Sequence, residues 1–275
     1  MPHDPASPLA GRSVVITRTV EQSRKLAEPL EALGAEVLAM PVIEVTDPPD
    51  PSAIDAAITE LPGYDWVVLT STNAVDRFFA RLVFMDRTSE ALTHVKIAAV
   101  GKATAAHLHE KGVAPDLVPD EARAEGLVAA FRARGVGAGC RVLLPRALVA
   151  REVLPDELRA MGALVDVVPV YQMTPVDPDP AVLDRLRVGT VDAVTFTSGA
   201  IARAFVAALR DAGRDPDAVL AGVAIASIGP VTTAELVLLG YEADIEPPKA
   251  TMAALAQAVA EKLGVEEPSE AGSTE

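Results

Sequence analysis

Two hydroxyl-rich runs, Thr70-Ser71-Thr72-Asn73 and Thr197-Ser198-Gly199, each stand where a short apolar run gives way to a segment of helical period. A hydroxyl there caps the helix, and the free main-chain amides with the helix dipole form an anion site. Gly101-Lys102-Ala103-Thr104 and Gly229-Pro230-Val231-Thr232 repeat the theme, with glycine at a strand's end and threonine near a helix start. Plain capping accounts for one such motif; several facing one cleft would hold a ligand bearing several carboxylates. Arg18 and Arg146 each close an apolar run and Arg151 follows closely. A guanidinium fork suits a carboxylate, with pairing to a neighbouring acid as the ordinary alternative. Lys102 has no basic counterpart, since Pro230 stands there. Tyr171 replaces an aliphatic residue, Ile43, of the matching segment. A phenol of ordinary pKa ~10 donates a proton only where developing charge helps, and packing at a junction is the simpler alternative. The candidates are therefore Tyr171 for catalysis and Arg18, Thr70, Ser71, Gly101, Lys102, Thr104, Arg146, Arg151, Thr197, Ser198, Gly199, Gly229 and Thr232 for binding.

Other chemistries find little support. Gly135-Val136-Gly137-Ala138-Gly139 precedes an apolar run instead of following one, so it reads as a turn and not a dinucleotide fingerprint. Walker loops, nucleophile elbows and His-Glu metal helices are missing, Cys140 is the single cysteine, and His107 and His109 point to different faces of a helix. No metal or cofactor is expected. Cys140 reads as a small buried hydrophobe at a strand start. The net charge of −15, without a basic stripe, argues against nucleic acid. No apolar run approaches the ~20 residues that span a bilayer, and the first residues lack a signal-peptide pattern, so a cytoplasmic protein with no membrane partner is expected, acting as a monomer. Gly264 to Glu275 reads as a disordered acidic tail and the first eight or so residues as loose.

The elements that must position these residues occur twice. Val14-Val15-Ile16-Thr17-Arg18 returns as Val142-Leu143-Leu144-Pro145-Arg146, and Leu33-Gly34-Ala35 returns as Met161-Gly162-Ala163. Asp65 through Ser71 reappears as Asp192 through Ser198, and Val100-Gly101 as Ile228-Gly229. Apolar runs at Ser13 to Thr17, Trp66 to Thr70, Lys96 to Val100, Arg141 to Leu144, Ala193 to Thr197 and Val223 to Ile228 alternate with helical segments. That alternation predicts parallel sheets with crossover helices, and the unbroken apolar runs predict strands buried on both faces. Helices are predicted at Glu21 to Leu33, Asn73 to Leu82, Ala103 to Lys111, Arg151 to Met161, Ala200 to Leu209 and Val231 to Leu239, with Gly34, Gly112, Gly162 and Gly240 as stops. The fold class is α/β: two similar doubly wound parallel-sheet lobes related by a pseudo-two-fold internal repeat, with a cleft for a small molecule between them. The extended segments at Pro41 to Val45 and Pro169 to Met173, each before a Pro/Asp-rich stretch, read as linkers. Paired as two strands they make one lobe from both chain ends; a tandem division near Gly137 fits the residues equally well.

In order, Thr17-Arg18, Leu33-Gly34, Pro41, Thr70-Ser71-Thr72-Asn73-Ala74-Val75, Val100-Gly101-Lys102-Ala103-Thr104, Val170-Tyr171, Thr197-Ser198 and Ile228-Gly229-Pro230-Val231-Thr232 resemble the uroporphyrinogen-III synthase family, from about Gly11 to Leu263. The chain departs from the family's usual pattern at Ala147, where glycine often follows the arginine, and at Thr19, where proline is common. The resemblance implies a first lobe of residues 1–39 and 173–263, a second of 46–167 and linker strands at 40–45 and 168–172. It implies a cofactor-free reaction: linear hydroxymethylbilane loses its terminal hydroxyl as water and closes with the last pyrrole ring inverted through a spiro intermediate. Tyr171 matches the family's tyrosine and is the implied proton donor. A two-lobed cytoplasmic sensor or carrier without catalysis is the competing reading.

Overall fold

The computed structural model describes residues 7–264, so most of the expected acidic tail and the first six residues lie outside the described residues. The chain opens with β1 (Ser13–Ile16), α1 (Val20–Ala32), β2 (Glu36–Ala39) and β3 (Ile43–Thr46). It continues with α2 (Ser52–Thr59), β4 (Trp66–Leu69), α3 (Thr72–Phe84), β5 (Lys96–Ala99), α4 (Lys102–Glu110) and α5 (Ala124–Ala133). Then follow β6 (Arg141–Ala147), α6 (Val153–Ala160), β7 (Leu164–Pro175), α7 (Pro180–Arg187), β8 (Ala193–Phe196), α8 (Gly199–Asp211), α9 (Pro216–Leu220), β9 (Ala224–Ser227), α10 (Pro230–Leu238) and α11 (Met252–Leu263). The predicted strands and helices occur within a few residues of their expected ends. All four glycine stops take the left-handed conformation that spares a glycine any side-chain clash, from φ 79° at Gly112 to 95° at Gly34.

Two compact units result: Met1–Glu44 with Thr174–Glu275, and Val45–Met173. The first holds a parallel sheet of order β2-β1-β8-β9; the sheet containing the second runs β3-β7-β6-β4-β5. By the repeat, β2, β1, β8 and β9 correspond to the first part of β7, β6, β4 and β5, so the two sheets have one strand order. Neither unit is one copy of the repeat. Each takes two strands from one copy and two from the other.

Each sheet is covered on both sides, as the apolar runs predicted. Val14 and Ile16 of β1 enter one core with Leu26, Leu30 and Val259, while Val15 enters another with Phe196 and Phe205. In β4, Trp66 and Val68 pack with Phe131 and Leu158, and Val67 and Leu69 with Phe78 and Leu108. Alternate residues of one strand thus feed two cores, each large apolar side chain contributing about 1.5–3 kcal/mol. A carboxylate pins the start of each sheet: Asp192 accepts from the Ser13 N–H and Asp65 from the Arg141 N–H, both at 2.8 Å. A second pair acts one strand over, where Asp116 and Asp244 accept from the Ile97 and Ile225 N–H groups at 2.7 and 2.8 Å.

The Pro/Asp-rich stretches are helix entries as much as linkers. Asp50 accepts from the Ser52 N–H at the start of α2, and Asp179 caps α7 from the residue before Pro180. Cys140 is only partly buried, because it precedes β6 and does not lie within it.

Candidate functional site

In a parallel sheet every strand ends at the same edge, and ligands bind where the strand order reverses. In the unit of Val45–Met173 that reversal falls between β6 and β4; in the other it falls between β1 and β8. Ser71 follows β4 and caps α3, its hydroxyl oxygen accepting from the Ala74 N–H at 3.0 Å. Ser198 follows β8 and caps α8 in the same way, from the Ile201 N–H at 3.3 Å. Thr70, Thr197 and both serines are half-buried, so their hydroxyls sit at the edge and not in the core.

Tyr171 and Ser71 come together: the phenol Oη lies 3.2 Å from Ser71 Oγ. Since that serine oxygen already accepts from an amide, its own proton is available for the phenol, and the phenol's for a substrate. The sequence supplied both residues but not their meeting. A β-bulge produces it: Arg146 of β6 pairs with Pro169 and Ala147 with Tyr171, leaving Val170 as the extra residue. Bulges re-aim side chains. Val168, Val170 and Tyr171 consequently enter one core, where strict alternation would turn Tyr171 away; it is 8% exposed. The other two tyrosines are bound to carboxylates. Burial and the bond to Asp166 push the Tyr64 phenol far up, and burial with Asp217 pushes Tyr241 up to about 12. Tyr171 meets a neutral hydroxyl instead.

Gly101 and Gly229 are the N-caps of α4 and α10, both in extended backbone. A methyl on Gly101 would lie 2.7 Å from the Ala122 side chain and one on Gly229 3.3 Å from that of Ala250. Close chain packing therefore already calls for glycine at 101. Thr104 and Thr232 are buried in the first turns of these helices, while Lys102 is exposed.

The arginines divide. Arg18 is half-buried beside Met252, its Nη1 3.5 Å from the sulfur, and burial pulls its guanidinium below the usual range. Arg146 is 8% exposed and turned inward: Nη1 donates to the Arg151 carbonyl at 2.9 Å and Nη2 to the Glu152 carboxylate. Arg151 itself is exposed and lies ahead of α6, which begins at Val153 and not, as expected, at Arg151. Sequence reasoning missed Glu152 and Leu148, whose N–H donates to the Tyr171 carbonyl at 2.8 Å. Among the described residues no group of three or more His, Cys, Asp or Glu side chains could hold a metal ion, and no helix is long and apolar enough to cross a membrane.

These features define an α/β protein of two doubly wound units whose strand-end edges carry hydroxyl-capped and glycine-capped helix starts. A family model described as uroporphyrinogen-III synthase HemD matches residues 24–257. A uroporphyrinogen-III synthase of Synechococcus elongatus is 34% identical over 92% of this chain and 96% of its own. A putative uroporphyrinogen-III synthase of Methanothermobacter thermautotrophicus is 32% identical over 91% of this chain and 98% of its own. In fold, the chain is similar to a mutant uroporphyrinogen III synthase of Thermus thermophilus (TM-score 0.62, 18% identity, 92% of this chain and 98% of that one). It is also similar to the Helicobacter pylori enzyme (TM-score 0.60, 17% identity, 91% and 99%). The chain belongs to the uroporphyrinogen-III synthase family, cyclising hydro-lyases of haem biosynthesis.

Proposed function

We propose that the protein converts hydroxymethylbilane to uroporphyrinogen III in the cytoplasm, as a monomer, with Tyr171 as the proton donor. Beyond family membership, the observation that carries the assignment of roles is the Tyr171 Oη to Ser71 Oγ contact at a strand-end edge. The terminal hydroxymethyl C–O bond breaks as the phenol proton passes to the oxygen, and water leaves. The pyrrole nitrogen lone pair stabilises the resulting azafulvene cation. Carbon–carbon bond formation through the spiro intermediate closes the ring with the last pyrrole inverted, and the proton released on rearomatisation returns to the phenolate. The phenolate is opposite in charge to the cation it helps create, so the acid strengthens as the bond breaks.

The acetate and propionate arms are polyanionic, while the chain carries a net charge of −15. Main-chain amides at the starts of α3, α4, α8 and α10 resolve that conflict, because a helix terminus holds an anion without a formal positive charge. Thr70, Ser71, Thr104, Thr197, Ser198, Gly199 and Thr232 are assigned to this task with the glycine caps Gly101 and Gly229; Arg18, Arg151 and Lys102 supply the cationic contacts. Holding the flexible chain folded favours inverted closure over the spontaneous uninverted one.

The test is direct. Purified protein given fresh hydroxymethylbilane, followed by oxidation and separation of the porphyrin isomers, is expected to give type III in excess of the protein-free control. Type I alone from folded protein would instead favour a sensor or carrier.

A further inference from the structure

The repeat gives the β6–α6 junction an internal control. In the other unit α1 starts at Val20, immediately after the Thr17-Arg18-Thr19 edge. The corresponding stretch of the second copy has the same length, yet Leu148 to Glu152 is unwound and α6 starts only at Val153. Pro155 favours the late start: a helix continued back to Leu148 would need an N–H at position 155 to bond the Arg151 carbonyl, and proline has none. Ala27 occupies the matching place in α1, which carries a proline further along, at Pro29, and stays helical through it, so the proline acts together with the contacts of Arg146. The Arg151 carbonyl is satisfied instead by Arg146 Nη1, and Arg146 Nη2 holds Glu152. A buried arginine thus takes the role of the missing helical donor and fixes an irregular loop.

That loop presents Leu148, 41% exposed, and Val149, 88% exposed. Its base is tied to the tyrosine: the Leu148 N–H donates to the Tyr171 carbonyl, and Ala147 is the Tyr171 partner across the bulge. What sets Leu148 and Val149 apart from other exposed apolar residues such as Val231 and Leu238 is the latch and the place: they follow directly on Ala147, the strand partner of the proposed acid, and are held there to meet an apolar group at that edge. We propose that Leu148 and Val149 form the rest for a pyrrole ring of the substrate, and that Arg146 is a positioning residue that holds this loop and is not a carboxylate ligand. The occupant follows from the neighbourhood, since a flat apolar ring with carboxylate arms matches an apolar loop flanked by the Ser71 helix start. This proposal rests on the function argued above.

Binding is measured by fluorescence titration with uroporphyrin III, the oxidised product, and turnover by the isomer assay. Val149→Ser, which removes the apolar surface without adding charge, is expected to weaken uroporphyrin binding and raise KM, each about tenfold, as loss of one apolar contact does. Val83→Ser, at a 69% exposed valine on α3, is expected to leave both unchanged. Wild-type binding and KM in Val149→Ser would overturn the ring rest. Arg146→Met is expected to lower kcat and to open the loop to trypsin after Arg151, and Arg146→Lys to fail to rescue, because one ammonium cannot reproduce the two-pronged latch. Full rescue by lysine, with only KM altered in Arg146→Met, would make Arg146 a carboxylate ligand and overturn the latch. Absence of type III product from the wild-type chain would sink the synthase reading separately, while the uroporphyrin titration would still decide the loop.

Discussion

The two units share a strand order, the paired carboxylates at their strand starts and the serine caps at their strand ends, yet they differ at three other places. Tyr171 stands against Ile43, an unwound loop against the first turn of α1, and one ion pair against its own reversal. In the unit of Val45–Met173, Asp76 on α3 is hydrogen-bonded to His107 on α4 and ion-paired with Lys111 just beyond that helix, both at 2.8 Å; at the positions matching Asp76 and His107 in the other unit, Arg203 on α8 pairs with Glu235 on α10 at 2.5 Å. The helix–helix contact is kept while its charges are exchanged. Buried packing and sheet pinning constrain a repeat strongly, whereas an edge side chain is released to specialise once its counterpart keeps the fold.

The comparison is broken most severely by making the units alike. Tyr171→Ile copies the other repeat and is expected to lower kcat roughly 10²–10⁴-fold, the usual share of general acid catalysis. Tyr171→Phe should lose the same rate with less disturbance of packing, so steady-state kinetics on both variants separate proton transfer from fit; near-normal kcat in the phenylalanine variant would remove Tyr171 from the acid role. A smaller effect is expected on stability. Asp192 serves the Ser13 N–H and also Arg12, at 2.8 Å each, so Asp192→Ala should cost about 1–3 kcal/mol in urea unfolding, more than Asp65→Ala. Equal losses would mean the guanidinium adds nothing.

The smallest effect concerns pH. Burial pushes the Asp76 carboxyl up, but hydrogen bonds from Lys111 and His107 outweigh it and leave the carboxyl below its ordinary value. A depressed carboxyl stabilises the fold above its unfolded pKa of ~3.9, and that contribution disappears as pH falls through the lower native value. Acidification below about pH 4 should therefore cost the wild type up to about 1 kcal/mol more than Asp76→Asn, given the exposure of the pair. Identical acid titrations of stability would place the shift elsewhere.

Strand starts, glycine stops and hydroxyl caps were legible because each is decided within a few residues. The swapping of strands between copies has no such local signal, since Val14 pairing with Ala193 and Trp66 with Val142 are choices made across long stretches of chain; it was readable only through the paired linker segments and the family resemblance. The helices α2, α5, α7, α9 and α11 went unread; α2 and α7 open inside Pro/Asp-rich stretches whose turn chemistry masks a following apolar face. At the site, Tyr171 and Ser71 could each be named, but a bulge at Arg146/Ala147 leaves no local mark and decides where the phenol goes. Arg146 could be matched to Arg18 by sequence position, but its contacts with Glu152 and the Arg151 carbonyl leave no mark in the spacing.

The discontinuous unit also sets an order of events on the ribosome. Residues 45–173 emerge as one uninterrupted stretch and can complete their sheet early, while β1 must wait for its neighbour β8 at Ala193–Phe196. At about 5–20 residues per second that interval is roughly 10–40 s. Throughout it Val14, Val15 and Ile16, fully buried in the finished protein, lack β8 and the cores it completes. The stretch from β1 through β2 thus waits for its pairing partner throughout that interval, and a chaperone that grips short apolar strands would act on it with effect.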